Sequence, residues 1–138
     1  MQLKRDTDYA MRIIMRLAQQ DAIPGKLTAP VSLLEICRET GVPRTSAARI
    51  CNRMVDAGML QSATSGSPTT QAYISLCDPN AITAKDVICL TEGRLDLFAV
   101  FDKNTELYRR FGEVFDDAAR RIDEALSDVT VGDILKKQ

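Results

Sequence analysis

Two sets of side chains in this chain could do chemistry, and they point in different directions. The first is four cysteines, at 37, 51, 77 and 89, in 138 residues that contain no histidine. Thiolates bind soft metals and exchange disulfides, but zinc sites gather them in close C-x-x-C pairs, and none occurs here. Without His the commonest general base is missing, and so is the usual partner of a Ser or Cys nucleophile. No Gly-rich phosphate loop appears either. An enzyme is not expected, nor a metal site or cofactor. The second set is Arg44, Thr45, Ser46 and Arg49, followed by Asn52 and Arg53. Arg grips guanine bidentately, and hydroxyls serve either bases or phosphates, so this set suits DNA.

That chemistry requires one shared surface. Ala47, Ile50, Cys51, Met54 and Val55 follow the i, i+3, i+4, i+7, i+8 spacing of a core-facing helical stripe. At about 100° per residue, Thr45, Arg49, Asn52, Arg53 and Asp56 then fall on the far side. Pro43 can open this helix and Gly58 ends it. A shorter helix precedes it. Ser32-Leu-Leu-Glu35 has capping-box form, Leu33, Ile36 and Cys37 make a stripe, and Gly41 stops it. Two helices about a Gly turn, the second with a polar Arg-bearing face, make a helix-turn-helix. The N-terminal residues of the second helix would then lie nearest the base edges in the major groove. A plain helical hairpin with a solvated charged face would show the same pattern.

Charge supports the division of labour. Net charge is only −1, yet residues 1–60 carry nine Lys or Arg against six Asp or Glu, leaving the acidic excess in the remainder. A basic half can face DNA while an acidic half does something else. No apolar run approaches a membrane span and no signal-peptide core is present, so a cytoplasmic location without disulfides is expected.

In chain order, Lys4 and Arg5 lead into a first helix capped by Asp6 or Thr7 and reaching about Asp21, before Pro24-Gly25. Its stripe is Ala10, Ile13, Ile14, Leu17 and Ala18, widened by Met11 and Met15. Arg5, Arg12 and Arg16 are read as solvated or phosphate-facing. Lys26 to Val31 is a possible short strand. After Gly58, Met59–Thr64 and Ala72–Leu76 read as strands joined by a Ser65–Gln71 loop, a wing behind the second helix. No Lys or Arg occurs between Arg53 and Lys85, so a wing contact would rest on backbone N–H groups and hydroxyls, as at Ser65 and Gly66. Thr83-Ala-Lys-Asp86 opens a short helix through Glu92, stopped by Gly93. Leu95, Leu97, Phe98, Val100 and Phe101 crowd a second short segment. A long helix, Asn104 to Ser127, carries a seam of Leu107, Phe111, Val114, Ala118, Ile122 and Ala125. At roughly 35 Å it is too long for a small winged domain to cover, which points to a second copy of the chain. Thr130-Val-Gly-Asp133 caps a last helix. The expected class is mainly α with a small β-hairpin wing, residues 1–82 binding DNA and 83–138 forming a helical dimerisation region.

With these pieces in order, the chain resembles the Rrf family of winged helix-turn-helix transcription regulators over nearly its whole length. The resemblance rests on Met1-Gln-Leu-Lys-Arg-Asp-Thr-Asp-Tyr-Ala10, the helix-turn-helix, Ile82-Thr-Ala-Lys-Asp-Val87 with Glu92-Gly93, and Val129-Thr-Val-Gly-Asp-Ile-Leu135. It implies a homodimer that binds a palindromic operator in double-stranded DNA and answers to a signal that the sequence does not name. There are two departures. Gln71-Ala72-Tyr73 stands where the family has an Arg and a Gly-Gly-Tyr run. The segment Val100 to Leu107 has none of the three cysteines that cluster-binding members place before the long helix. Asp8 matches a cluster ligand of some members but has no thiolates to join. The leading reading is thus a DNA-binding regulator without an iron–sulfur cluster. Two alternatives are an iron–sulfur or thiol redox sensor using Cys77 and Cys89, joined by Asp8 across a dimer, and a protein-interaction module that has lost DNA affinity.

Overall fold

The computed structural model describes residues 3–18, 29–76, 78–93 and 104–137. The elements run α1 (Arg5–Ala18), β1 (Val31–Ser32), α2 (Leu33–Thr40), α3 (Arg44–Asp56), β2 (Leu60–Ser65), β3 (Ser67–Ser75), α4 (Ala84–Glu92), α5 (Glu106–Asp128) and α6 (Val131–Lys136). The wide apolar arc of α1 makes it the hub. Ala10, Ile13, Ile14 and Leu17 are at most 1% exposed and share one core with Ile36, Ile50, Met54, Leu60, Tyr73, Val87 and Val131. The expected continuation of α1 to Asp21, residues 26–28 of the expected strand, and the crowded 95–101 segment lie outside the described residues.

Local chemistry shapes the helix-turn-helix as its sequence suggests. Ser32 Oγ accepts from Glu35 N (3.1 Å), closing the first turn of α2. Gly41 takes φ +75° and donates its N–H to Cys37 O, and Pro43 precedes α3. Two arginines of α1 make contacts that the sequence does not reveal. Arg12 donates to Thr40 O (3.2 Å) at the end of α2 and pairs with Asp8 (2.9 Å), while Arg16 pairs with Glu39. Arg12 is exposed, as expected, yet both arginines also tie α1 to α2. Their Asp, Glu and carbonyl partners lie on the same side of the fold, which the helical stripe alone does not reveal.

The wing also differs. The strands form a three-stranded antiparallel sheet in the order β1-β3-β2, with Val31 opposite Tyr73 and Leu60 opposite Ser75. The expected Ser65–Gln71 loop is mostly strand. The chain reverses at Gly66 (φ +76°), Ser65 pairs with Ser67, and a bulge takes up the residues before Gln71. Ser, Thr and Pro made this stretch look like loop, but Thr suits a strand, and Pro68 sits beyond the reach of β1, where its missing N–H costs no ladder bond.

The C-terminal third returns to the core. Thr83 caps α4 and Thr130 caps α6, each through a box with the Asp three residues on. The two starts are stapled together by Ala84 N to Val129 O (2.7 Å) and Val131 N to Ile82 O (2.8 Å). Gly132 sits so close to Asn80 that an added Cβ would lie 2.1 Å from Asn80 Oδ1. Helix α5 lies against α4, and Lys85 pairs with Asp123 (2.7 Å) across them.

Candidate nucleic-acid interface

The outer face of α3 is the surface that the sequence singles out. Arg44, Thr45, Arg49, Asn52 and Arg53 are exposed and Ser46 is half-buried, while Ala47, Ile50, Cys51 and Met54 are fully buried on the opposite side. The first turn of α1 abuts this face. Asp6 Oδ2 accepts from Arg49 Nη1 (2.5 Å) and Asp6 Oδ1 from Arg49 Nη2 (3.1 Å), with the exposed Lys4 and Arg5 next in the chain. The Arg49 hydrogen bond holds the Asp6 carboxyl below its usual range, and nearby Arg53 and Lys4 add to this. The same bond raises the Arg49 pKa.

The start of α1 is fixed from across the molecule. Neither Asp6 nor Thr7 caps it, because the helix begins at Arg5 and both residues lie in its first turn. The cap is Glu92, at the end of α4. Its Oε1 accepts from Lys4 N (2.5 Å) and from the Thr7 hydroxyl (2.9 Å). Thr7 is buried, with its oxygen 2.6 Å from Thr91 Oγ1. A carboxylate at a helix N-terminus meets both the orphan N–H groups and the positive end of the helix dipole. The Glu92 carboxyl is accordingly held below its ordinary value, chiefly by the bond from Lys4 N.

A phenol ties the hairpin to α3. The Tyr73 hydroxyl donates to Asn52 Oδ1 (3.1 Å) and accepts from Gln71 Nε2 (2.5 Å). Asn52 therefore links α3 to β3 as well as standing on the exposed face. The Tyr73 ring is fully buried, and burial pushes its pKa up to about 12. Gly66 is exposed at the hairpin tip, and the Ser65 side chain lies outside the described set.

The thiols stand apart from this surface. Cys51 is fully buried, its pKa pushed up to about 12 by burial, and Cys37 packs half-buried beside the core with its thiol also pushed up. Burial makes such thiols poor nucleophiles and poor metal ligands. Cys89 is half-buried on α4, and Cys77 lies outside the described residues. Among the described residues no three His, Cys, Asp or Glu side chains come together as a metal-binding group. Asp8, the possible carboxylate ligand, is engaged by Arg12. On α5, Val114 is 68% and Ile122 38% exposed, Ala125 is exposed, and Phe111 and Ala118 are half-buried. The Leu107 side chain lies outside the described set. Phe111 and Phe115 meet edge to face at 5.5 Å.

Residues 3–137 match the family model Rrf2, described as an iron-dependent transcriptional regulator. The chain belongs to the Rrf2 family. The winged helix-turn-helix is accordingly the Rrf2 fold, and solved structures repeat it. CymR of B. subtilis, described as its global cysteine regulator, superposes with a TM-score of 0.77 at 21% identity, covering 98% of this chain and 96% of that one. T. potens IscR gives 0.71 at 20% identity, covering 99% of this chain and 87% of that one. The oxidized form of Staphylococcus aureus CymR gives 0.71 at 17% identity, covering 100% and 98%. No curated protein sequence matches the chain. Rrf2 members are transcriptional regulators, and among the described residues no helix is long and apolar enough to cross a membrane. Sequence reasoning missed Asp6 as the partner of Arg49 and Glu92 as the cap of α1. Both pairings join residues more than forty positions apart, so no local pattern signals them.

Proposed function

We propose that this Rrf2 protein is a homodimeric, sequence-specific DNA-binding regulator that holds no iron–sulfur cluster. The observation that carries the reading is the α3 face: Arg44, Thr45, Arg49 and Arg53 exposed on a helix whose other side is wholly core. Arg49 is the base-reading candidate. Lys4 and Arg5 at the start of α1 supply phosphate contacts, and Gly66 at the hairpin tip offers backbone. Helix α5 supports the dimer, because Val114 and Ile122 are large apolar side chains left exposed on one helix. A two-fold dimer reads a palindrome whose half-sites lie about 34–36 Å apart, one turn of DNA.

The family description names iron, but the donor set here does not fit a thiolate cluster. A [2Fe–2S] centre takes four ligands, usually thiolates. This chain has four cysteines and no His; Cys51 is sealed in the core, and residues 94–105 contain no cysteine. Protein purified without oxygen is therefore expected to be colourless and free of acid-labile sulfide.

DNA binding is tested by selecting duplexes from a randomised pool and titrating the best of them against a scrambled duplex at several salt concentrations. The expected result is a preferred palindrome and an affinity that falls steeply with salt. Recovery of no preferred sequence would sink the reading in favour of a protein-interaction role.

A further inference from the structure

Asp6 and Arg49 form a bidentate pair at the protein surface. The two bonds between them use the terminal edge of the guanidinium, Nη1 and Nη2. The side edge, formed by Nε and one Nη, has no partner among the described residues, and the Arg49 side chain remains 46% exposed. An Arg side edge carries the two parallel donors that match O6 and N7 of guanine. Exposed ion pairs contribute little to stability, so folding alone gives small reason to hold this one. Its carboxylate is also set in a firm frame. Asp6 precedes Thr7, whose buried hydroxyl is fixed by Thr91 and Glu92, and follows Lys4, whose N–H is held by Glu92.

We propose that Asp6 is a specificity-determining positioning residue, which clamps the end of Arg49 so that its side edge is presented, already ordered, to a guanine in the operator. The inference rests on the DNA-binding reading above. A free Arg loses much rotamer freedom when it seizes a base, and a side chain ordered before binding avoids that loss. A carboxylate near DNA also repels phosphate. Asp6 therefore trades general affinity for discrimination, and its effect must run through Arg49.

The test uses the full chain, the best duplex recovered from a randomised pool, and a scrambled duplex of the same composition. The readout is the ratio of the two affinities for wild type, Asp6→Asn, Asp6→Ala, Arg49→Ala and the Asp6→Asn, Arg49→Ala double change. Arg49→Ala is expected to lower the ratio by roughly 5- to 150-fold, the range of one bidentate base contact. Asp6→Asn and Asp6→Ala should each lower it by roughly threefold or more but by less than Arg49→Ala does, a part of that contact, while binding to the scrambled duplex stays equal or tightens. In the Arg49→Ala background, Asp6→Asn should change the ratio no further, a coupling that a merely structural role would not produce. A ratio that stays level or rises in both Asp6 variants, with Arg49→Ala still harmful, overturns the clamp while leaving the DNA reading intact. An equal Asp6→Asn effect with and without Arg49 overturns it too. A wild-type ratio near one defeats the underlying DNA reading instead.

Discussion

Protonating Glu92 removes the negative charge that strengthens its bonds from Lys4 N and the Thr7 hydroxyl and that meets the positive end of the α1 dipole. Its folded pKa lies below the ordinary 4.5. The stabilisation it brings is therefore complete above that ordinary value and is lost as pH falls through the depressed one. Thermal midpoints should fall on acidification, and fall less steeply in Glu92→Gln, which begins from a lower midpoint near neutrality. Equal slopes in calorimetric scans of the two proteins would show that Glu92 does not carry this dependence. Cys51 runs the other way, since burial leaves its thiol protonated until about pH 12. Native protein should thus leave Cys51 unlabelled by iodoacetamide at pH 8, with labelling only after denaturation, as peptide mass mapping can read. The exposure of Arg49 and burial of Cys51 were both legible from a count of 100° per residue. Their electrostatic surroundings were not, because helical periodicity says which way a side chain points and nothing about which distant element it meets.

At the scale of elements, the Tyr73 phenol gives the hairpin a side-chain tie to α3. Tyr73→Phe keeps the buried ring but leaves Asn52 and Gln71 without their shared partner, and should cost about 1 kcal/mol in urea unfolding. The pH dependence has a definite sign. With the folded pKa raised from 10 to about 12, the phenol's contribution is full below pH 10 and is lost as pH climbs toward 12. The gap between wild type and Tyr73→Phe should therefore narrow from pH 8 to pH 11. A gap that widens or holds would place the alkaline loss elsewhere. The capped helices were the legible elements, since Ser32, Thr83 and Thr130 act on N–H groups three residues away. The hairpin was half legible. Leu60 and Tyr73 marked its strands, but the Ser65–Gln71 stretch becomes strand only by pairing, which its Ser, Thr and Pro content conceals. The cap of α1 lay beyond reach, because its carboxylate stands 88 positions away.

For the molecule as a whole, the exposed apolar side chains of α5 are the test of the proposed dimer. If Phe111 and Val114 belong to the seam between two copies, a Phe111→Asp, Val114→Asp double change should yield folded monomers by light scattering and weaken operator binding by far more than tenfold. A folded variant that remains dimeric moves the interface off this helix. The class of fold was legible because amphipathic stripes and capping residues are local and numerous here. Less so was the return of the last helix: Val129-Thr-Val-Gly-Asp-Ile-Leu135 marks a helix but not the elements that receive it. That return has a consequence for how the protein is made. Val131 completes the core against α1, yet it is synthesised more than a hundred residues later. At about 5–20 residues per second, the interval is roughly 5–20 s on the ribosome. Throughout it, the faces of Ile13, Ile14 and Leu17 lack their last partner, and α1 lacks its Glu92 cap for most of it. The core around α1 therefore matures late, and nascent chains stalled before residue 129 should be digested by protease where the released chain resists.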